Sequence, residues 1–392
     1  MFARRTQWPT AVNELTRRVR ERCERGEPIL DLTESNPTRC AFEYPRDVIL
    51  TPFLSSENLR YEPAPQGLRS AREAIARYYA ELGARVDPDR LILTASTSEA
   101  YTFLFRLLAD PGDRVLVPRP SYPLFGFLAD LNDVELDAYR LVYDGRWGID
   151  VESVRAALGP RARAVVLVNP NNPTGSFVKR SEWEQILACC AKQGVAVISD
   201  EVFLDYAYAE DTERVGTLLR EEAADVLTFV LGGVSKLLGL PQMKLAWIGV
   251  TGPEAMVREA LLRLEIIGDT YLSVSTPVAR ALPQWMRVRE GLRGRIRERV
   301  MANREYLRQS VGRSSNCRCL DAEGGWYAIL HLPDVRDDEA FAIELLEQEG
   351  VLVHPGYFFD FEGEGYFVLS LLPPPEVFQE GIRRILRRVE NR

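Results

Sequence analysis

The sequence predicts an α/β protein: a large domain built on a mostly parallel sheet flanked by helices, joined to a smaller α+β domain. Three observations carry this. Short β-branched runs, apolar nearly throughout, alternate with helical periods up to about Ser275. Beyond Ser275 the pattern changes to a long helical stretch, three short strand-like runs and a closing amphipathic helix. The length, 392 residues, is more than one simple core accommodates. We expect residues 46–279 to form the large domain, and 1–45 with 280–392 the small one.

Along the chain, Leu68, Ala71, Ile75, Tyr78 and Leu82 recur at spacings of three and four, one face of a helix. Strands are expected at 91–94, 114–117, 164–168, 195–199, 227–231 and 245–250. Several of these runs lack a polar alternate, as do strands buried on both faces. Residues 182–193 read as a helix with Ser181 as its N-cap. Residues 283–312 read as one long helix with Leu292, Ile296 and Val300 on a stripe. Its many arginines are interleaved with glutamates, which suits a solvated face better than a nucleic-acid surface. Strands are then expected at 325–331, 351–354 and 365–371. Phe378, Ile382, Ile385 and Val389 mark the buried side of the last helix.

The bulk composition narrows the function. A net charge of −8 gives no electrostatic footprint for nucleic acid or anionic membrane. Six cysteines without a C-x-x-C pair, and only His331 and His354, make a metal site of the Cys/His type unexpected. Cysteines this sparse form no disulfide framework, and residues 1–25 lack an apolar signal core, so a cytoplasmic location is expected. The longest apolar runs are too short to span a bilayer.

Three motifs follow expected strands. The first is Asn169-Pro-Asn-Asn-Pro-Thr-Gly175, the second Ile198-Ser-Asp200-Glu-Val-Phe203, the third Gly232-Gly-Val-Ser-Lys236. In open α/β sheets, ligands bind beyond the carboxyl ends of strands. An acid at the end of a buried strand needs a partner. A lysine in an apolar, glycine-rich stretch is desolvated, which lowers its pKa and makes it a usable nucleophile. Each motif alone is also an ordinary loop feature. Together, in this order and with Asn172, Asp200 and Lys236 at intervals of 28 and 36 residues, they are far more specific.

This constellation resembles the class I/II aminotransferase family of fold-type I pyridoxal-5′-phosphate (PLP) enzymes, over nearly the whole chain. The resemblance implies a seven-stranded large sheet and these roles. Lys236 carries PLP as a Schiff base and shuttles a proton. Asp200 pairs with the pyridinium nitrogen. Asn172 binds the phenolic oxygen and lies near the substrate carboxylate. Tyr122 stacks on the ring. Ser96, Thr97 and Ser98, at an expected helix start, receive the phosphate together with Ser235 and Lys244. Tyr61 reaches the phosphate of a neighbouring subunit, which implies a homodimer with shared sites. Ser35 and Asn36 belong to a substrate-contact loop. The substrates implied are a small-molecule amino donor and an oxo acceptor.

Departures fall on working positions. The tyrosine the family has three residues after its aspartate is Phe203 here, so a donor to the phenolic oxygen is missing and the pKa of the Lys236 imine should rise. The phosphate arginine is Lys244, which has charge without the planar fork. The arginine that clamps the substrate carboxylate is Val368, so another arginine substitutes, with Arg39 a candidate, or the substrate has no carboxylate there. These changes keep two further readings in view: a PLP lyase, decarboxylase or other specialised enzyme, and a PLP-binding regulator. Regulators on this fold carry an appended DNA-binding domain, and no helix-turn-helix segment precedes the PLP-like region.

Overall fold

The computed structural model describes residues 1–220, 225–312 and 316–391. Among these residues the strands are, in chain order, β1 (Leu30–Asp31), β2 (Leu91–Thr94), β3 (Arg114–Arg119), β4 (Glu135–Tyr143), β5 (Trp147–Ile149), β6 (Ala162–Val168) and β7 (Ala196–Asp200). They continue with β8 (Thr228–Gly233), β9 (Ala246–Thr251), β10 (Arg318–Leu320), β11 (Tyr327–His331), β12 (Val351–Leu352), β13 (His354–Pro355) and β14 (Tyr366–Ser370).

The large sheet runs in the order β2-β9-β8-β7-β6-β3-β4-β5. The neighbours from β8 through β7, β6 and β3 to β4 pair parallel, whereas β9 is antiparallel to both β8 and β2. Both faces of the parallel part are covered. Along β6, Val165 and Leu167 join one core with Ile75, Trp183 and Ile186, from helices Arg69–Glu81 and Arg180–Gln193. Ala164, Val166 and Val168 join the other, with Ala100, Leu104 and Leu264 from helices Thr97–Leu108 and Glu254–Tyr271. An interior strand with two buried faces leaves no position for an alternating polar residue, which is why these runs were legible as apolar throughout.

The sheet has eight strands where seven were expected. The extra one is β5, a three-residue edge strand folded antiparallel on β4. The far edge also explains why β4 itself escaped the strand reading. It carries exposed residues at Glu135, Arg140, Val142 and Tyr143, because it lies next to the edge, where β5 pairs only with its end and helices cover little of it.

A second sheet, β10-β11-β14-β13, is antiparallel, and β1 pairs parallel with β12. The expected strand at 351–354 is thus two short strands in two different sheets. The helices Arg289–Val311 and Pro375–Glu390 pack against each other, and the latter buries Phe378, Ile382, Ile385 and Val389.

Two helix expectations need correction. The stretch 283–312 is not one helix: Thr276–Arg287 and Arg289–Val311 are separate, broken at Val288, with Pro283 inside the first rather than at its start. No glycine or proline stands at the break to announce it. The N-cap of helix Arg180–Gln193 is Lys179, not Ser181. The Glu182 carboxylate accepts the Lys179 backbone N–H at 2.8 Å, so the side chain three residues in supplies the capping contact.

Candidate active site

The ends of three neighbouring parallel strands set the site. β6 ends at Val168, β7 at Asp200 and β8 at Gly233, side by side. Each is followed by one of the three motifs. Lys236 lies three residues beyond β8, in the short helix Val234–Leu237. The motif loops open into a cavity of about 310 Å³.

The structure brings most of the expected residues to this one cavity. Lys236, Asp200 and Asn172 line it with Tyr122; so do Ser35, Ser96, Thr97, Ser98, Ser235 and Lys244. Two expected residues are elsewhere. The Asn36 side chain turns back to accept from the backbone N–H and hydroxyl of Thr38, capping the turn that follows. Tyr61 is 75% exposed and lines a separate concavity with Gly67, Gly268 and Leu272. Arg39 does not replace the missing clamp: it is largely exposed and paired with Glu34 at 3.2 Å.

Asp200 is buried and Lys236 half-buried against the cavity, and each perturbs the other. Burial pushes the Lys236 amine down to about 8, against the pull of the nearby Asp200 charge. Its Nζ lies 4.9 Å from the ring centre of Trp326 and 5.3 Å from that of Phe203, so aromatic faces replace water around the ammonium. Burial raises the Asp200 carboxyl to about 6, while the Val202 backbone N–H and the Tyr101 hydroxyl hold it back. Those two donors reach its two oxygens at 3.2 and 3.0 Å.

The other walls suit a phosphorylated ring. Helix Thr97–Leu108 starts at the cavity, and Ser96 caps it by accepting the Glu99 N–H at 3.1 Å. A helix N-terminus with free amides, three nearby hydroxyls and Lys244 is a ready anion site. The Oδ1 of Asn172 is buried without a partner among the described residues, a polar group left unsatisfied at the cavity, and the amide's Nδ2–H is the donor a phenolic oxygen needs. The residues present therefore fit PLP.

The loop bearing Asn172 is pinned by a close backbone approach. At Gly175 the φ is 69°, and a Cβ would lie 2.3 Å from the Gly324 carbonyl oxygen. The Glu323 N–H donates to the Gly175 carbonyl at 3.2 Å, and the Phe177 N–H donates to the Glu323 carboxylate at 3.0 Å. This contact ties the loop to the segment that carries Trp326 and Tyr327.

Three site residues escaped the sequence reading: Tyr101, Trp326 and Tyr327. Tyr101 is an ordinary buried aromatic by pattern, and only the fold places it against Asp200. For Trp326 and Tyr327 a signal existed in Gly324-Gly325, two small residues before two aromatics, where a backbone comes close to something. Phe203 packs edge-on against both, with ring centres 5.3 and 6.2 Å away.

Comparison with known proteins agrees with this geometry. The family model for aminotransferase class I and II matches residues 29–385. The chain is 25% identical to the glutamate-pyruvate aminotransferase AlaA of Haemophilus influenzae over 373 residues, covering 93% of this chain and 91% of that protein. It is 26% identical to an alanine aminotransferase of Mycobacterium tuberculosis over 371 residues, covering 92% and 85%. Its fold matches an alanine aminotransferase from Pyrococcus furiosus with a TM-score of 0.90 at 24% identity, covering both chains fully. A Thermus thermophilus aspartate aminotransferase variant matches with a TM-score of 0.87 at 23% identity, covering 99% of each chain. With a family match over nearly its whole length, the chain belongs to the class I and II aminotransferases and is a PLP-dependent transaminase.

Proposed function

We propose that Lys236 is the catalytic lysine of this aminotransferase and that Asp200 holds the proton on the cofactor's ring nitrogen. The observation that carries the reading is one amine and one carboxylate, both with shifted pKa values, set just beyond the ends of adjacent strands and facing one cavity. When bound, PLP supplies an aldehyde for amines and a ring that withdraws electrons from the substrate Cα–H bond. Asn172 would hold its phenolic oxygen, Tyr122 its ring face, and Ser96, Thr97, Ser98, Ser235 and Lys244 its phosphate.

The protein's own groups do the rest. Lowered to about 8, the Lys236 amine is neutral far more often at pH 7 than an ordinary lysine is. A free neutral amine takes the proton from the substrate Cα and delivers one to the cofactor side. Trp326 and Phe203 cover part of the surface around Nζ with aromatic carbon, and that desolvation favours its lowered pKa. Asp200, ionised above about pH 6, keeps a positive charge on the ring nitrogen favourable.

We also infer a homodimer in the cytoplasm, divided into the two domains 46–279 and 1–45 with 280–392. Tyr61 stands by Leu272 and Gly268, at the end of the helix whose Leu262 and Ile266 are exposed, and Leu54 and Leu59 are exposed as well. Apolar side chains in such number suit a subunit interface. The six cysteines are unpaired, as in a reducing compartment. No helix among the described residues is long and apolar enough to cross a membrane.

The test is a half-reaction. Amino donors are added to the PLP-loaded protein without an oxo acceptor, and the visible cofactor band is followed. The reading predicts loss of the band to an amine-form spectrum, and its return on adding an oxo acid. Release of ammonia or carbon dioxide with the band retained would favour lyase or decarboxylase chemistry and contradict it.

A further inference from the structure

A substrate carboxylate that leaves water needs either a cation or several converging donors. Among the described residues lining the cavity, the cations are Lys236 and Lys244. On the reading above, on which this inference rests, Lys236 works on the reacting nitrogen and Lys244 on the phosphate. Neither is free for the carboxylate.

No replacement stands where a cation would be looked for first. Val368 on β14 is fully buried and pairs with Ile329 on β11 and His354 on β13. Directly paired residues project to the same face of a sheet. His354 is nevertheless a neutral group, pushed down to about 4 by burial among Phe358 and Phe359, despite the Asp31 charge. Arg39 is turned to Glu34.

Instead, three neutral groups converge. The Tyr327 hydroxyl faces the hydroxyl of Ser35 and the side-chain amide of Asn172, and all three residues line the cavity. They come from three separate segments, each firmly held. Tyr327 pairs with Ser370 on β14. Ser370 donates its backbone N–H to the Leu32 carbonyl at 2.7 Å, which anchors the Ser35 loop. The Asn172 loop is tied down at Gly175, as described.

We propose that Tyr327 is a specificity-determining residue that, with Ser35 and Asn172, receives the substrate carboxylate through neutral hydrogen bonds. Hydroxyl and amide donors give direction without charge. Losing one of three therefore weakens carboxylate binding selectively and leaves the amine-handling groups alone.

The experiment uses the PLP-loaded enzyme and its Tyr327→Phe variant, which keeps the ring. Dissociation constants are read from the cofactor's absorbance for 2-methylalanine, which has no Cα proton to lose, and for tert-butylamine, which also has none and bears a methyl in place of the carboxylate. The proposal predicts about tenfold weaker binding of 2-methylalanine, about 1.4 kcal/mol, with tert-butylamine unchanged. The pH at which the Lys236 band titrates also stays put. Ser35→Ala should show the same selective loss. Equal weakening of both ligands would overturn the proposal, as would an unchanged constant for 2-methylalanine with a shifted band titration, since the hydroxyl would then serve the cofactor. Tighter binding of tert-butylamine than of 2-methylalanine by the unmodified enzyme would overturn it too, because the cavity would then not receive a carboxylate. If no visible band forms at all, the Lys236 reading itself fails and this inference falls with it.

Discussion

Tyr101, on the helix that follows β2, donates its hydroxyl to Asp200 Oδ2 at 3.0 Å, from a residue 99 positions away in sequence. The bond stabilises the charged carboxylate against the burial that raises its pKa to about 6. Tyr101→Phe removes that donor. A hydrogen bond worth about 1 kcal/mol corresponds to an upward shift of somewhat under one pH unit. On our reading, an ionised Asp200 favours PLP binding by the cofactor-free protein. Its affinity should therefore fall off at a higher pH in Tyr101→Phe than in the unmodified protein. Fluorescence titrations of both proteins across pH 5–8 check this, and superimposable curves would contradict it.

Lys244 supplies the only positive charge, among the described cavity residues, apart from Lys236. On our reading it faces the phosphate. Lys244→Ala should weaken PLP binding roughly tenfold to a hundredfold, as expected for loss of a charge-assisted hydrogen bond. It should leave the position of the cofactor band unchanged. Equilibrium dialysis and an absorbance spectrum measure the two effects separately.

Phe203 stands where a hydroxyl would add a donor near the phenolic oxygen. Phe203→Tyr should lower the pKa of the Lys236 imine, because a donor to that oxygen reduces the negative charge that stabilises the protonated form. The pH titration of the cofactor band reads the shift directly. An unchanged or raised value would mean that the new hydroxyl is directed elsewhere.

Glu201 gives a stability prediction independent of the cofactor. It is buried beside Asp200, its Oε1 accepting the Leu218 N–H at 2.8 Å and the Ser199 hydroxyl at 3.0 Å, with the Thr217 side chain also close to the carboxyl. Burial is the largest cause of a pKa raised to about 7, with the Asp200 charge adding to it. A carboxyl raised in the folded state contributes stability that is complete below its ordinary pKa and is lost as pH rises through about 7. Glu201→Gln cannot ionise. It should melt at a higher temperature than the unmodified protein at pH 8 and at nearly the same temperature at pH 5. Thermal melts at the two pH values decide it, and a variant less stable at pH 8 would contradict the burial argument.

How far the sequence could be read follows from where charge and hydrophobicity coincide. Lys236 and Asp200 were legible because each ends an apolar run, where a charged group is costly without a purpose. The interior strands were legible because both faces are buried. Strand β4, next to the edge, was not, because exposure on one side breaks its apolar pattern. Tyr101, Trp326 and Tyr327 were not singled out because an aromatic residue in a core and one in a site look alike until the fold brings them to Asp200, Lys236 and Asn172. The helix break at Val288 leaves no mark because its backbone turn, φ −104° and ψ 6°, needs no special residue.

The attachment of the cofactor to Lys236 is tested most directly by trapping it. The PLP-loaded protein is reduced with borohydride, digested, and its peptides are mapped by mass spectrometry. The account predicts a phosphopyridoxyl group on Lys236 and on no other lysine, and no modified peptide from Lys236→Ala. Modification at another lysine, or an unmodified Lys236 in protein that holds PLP, would contradict it.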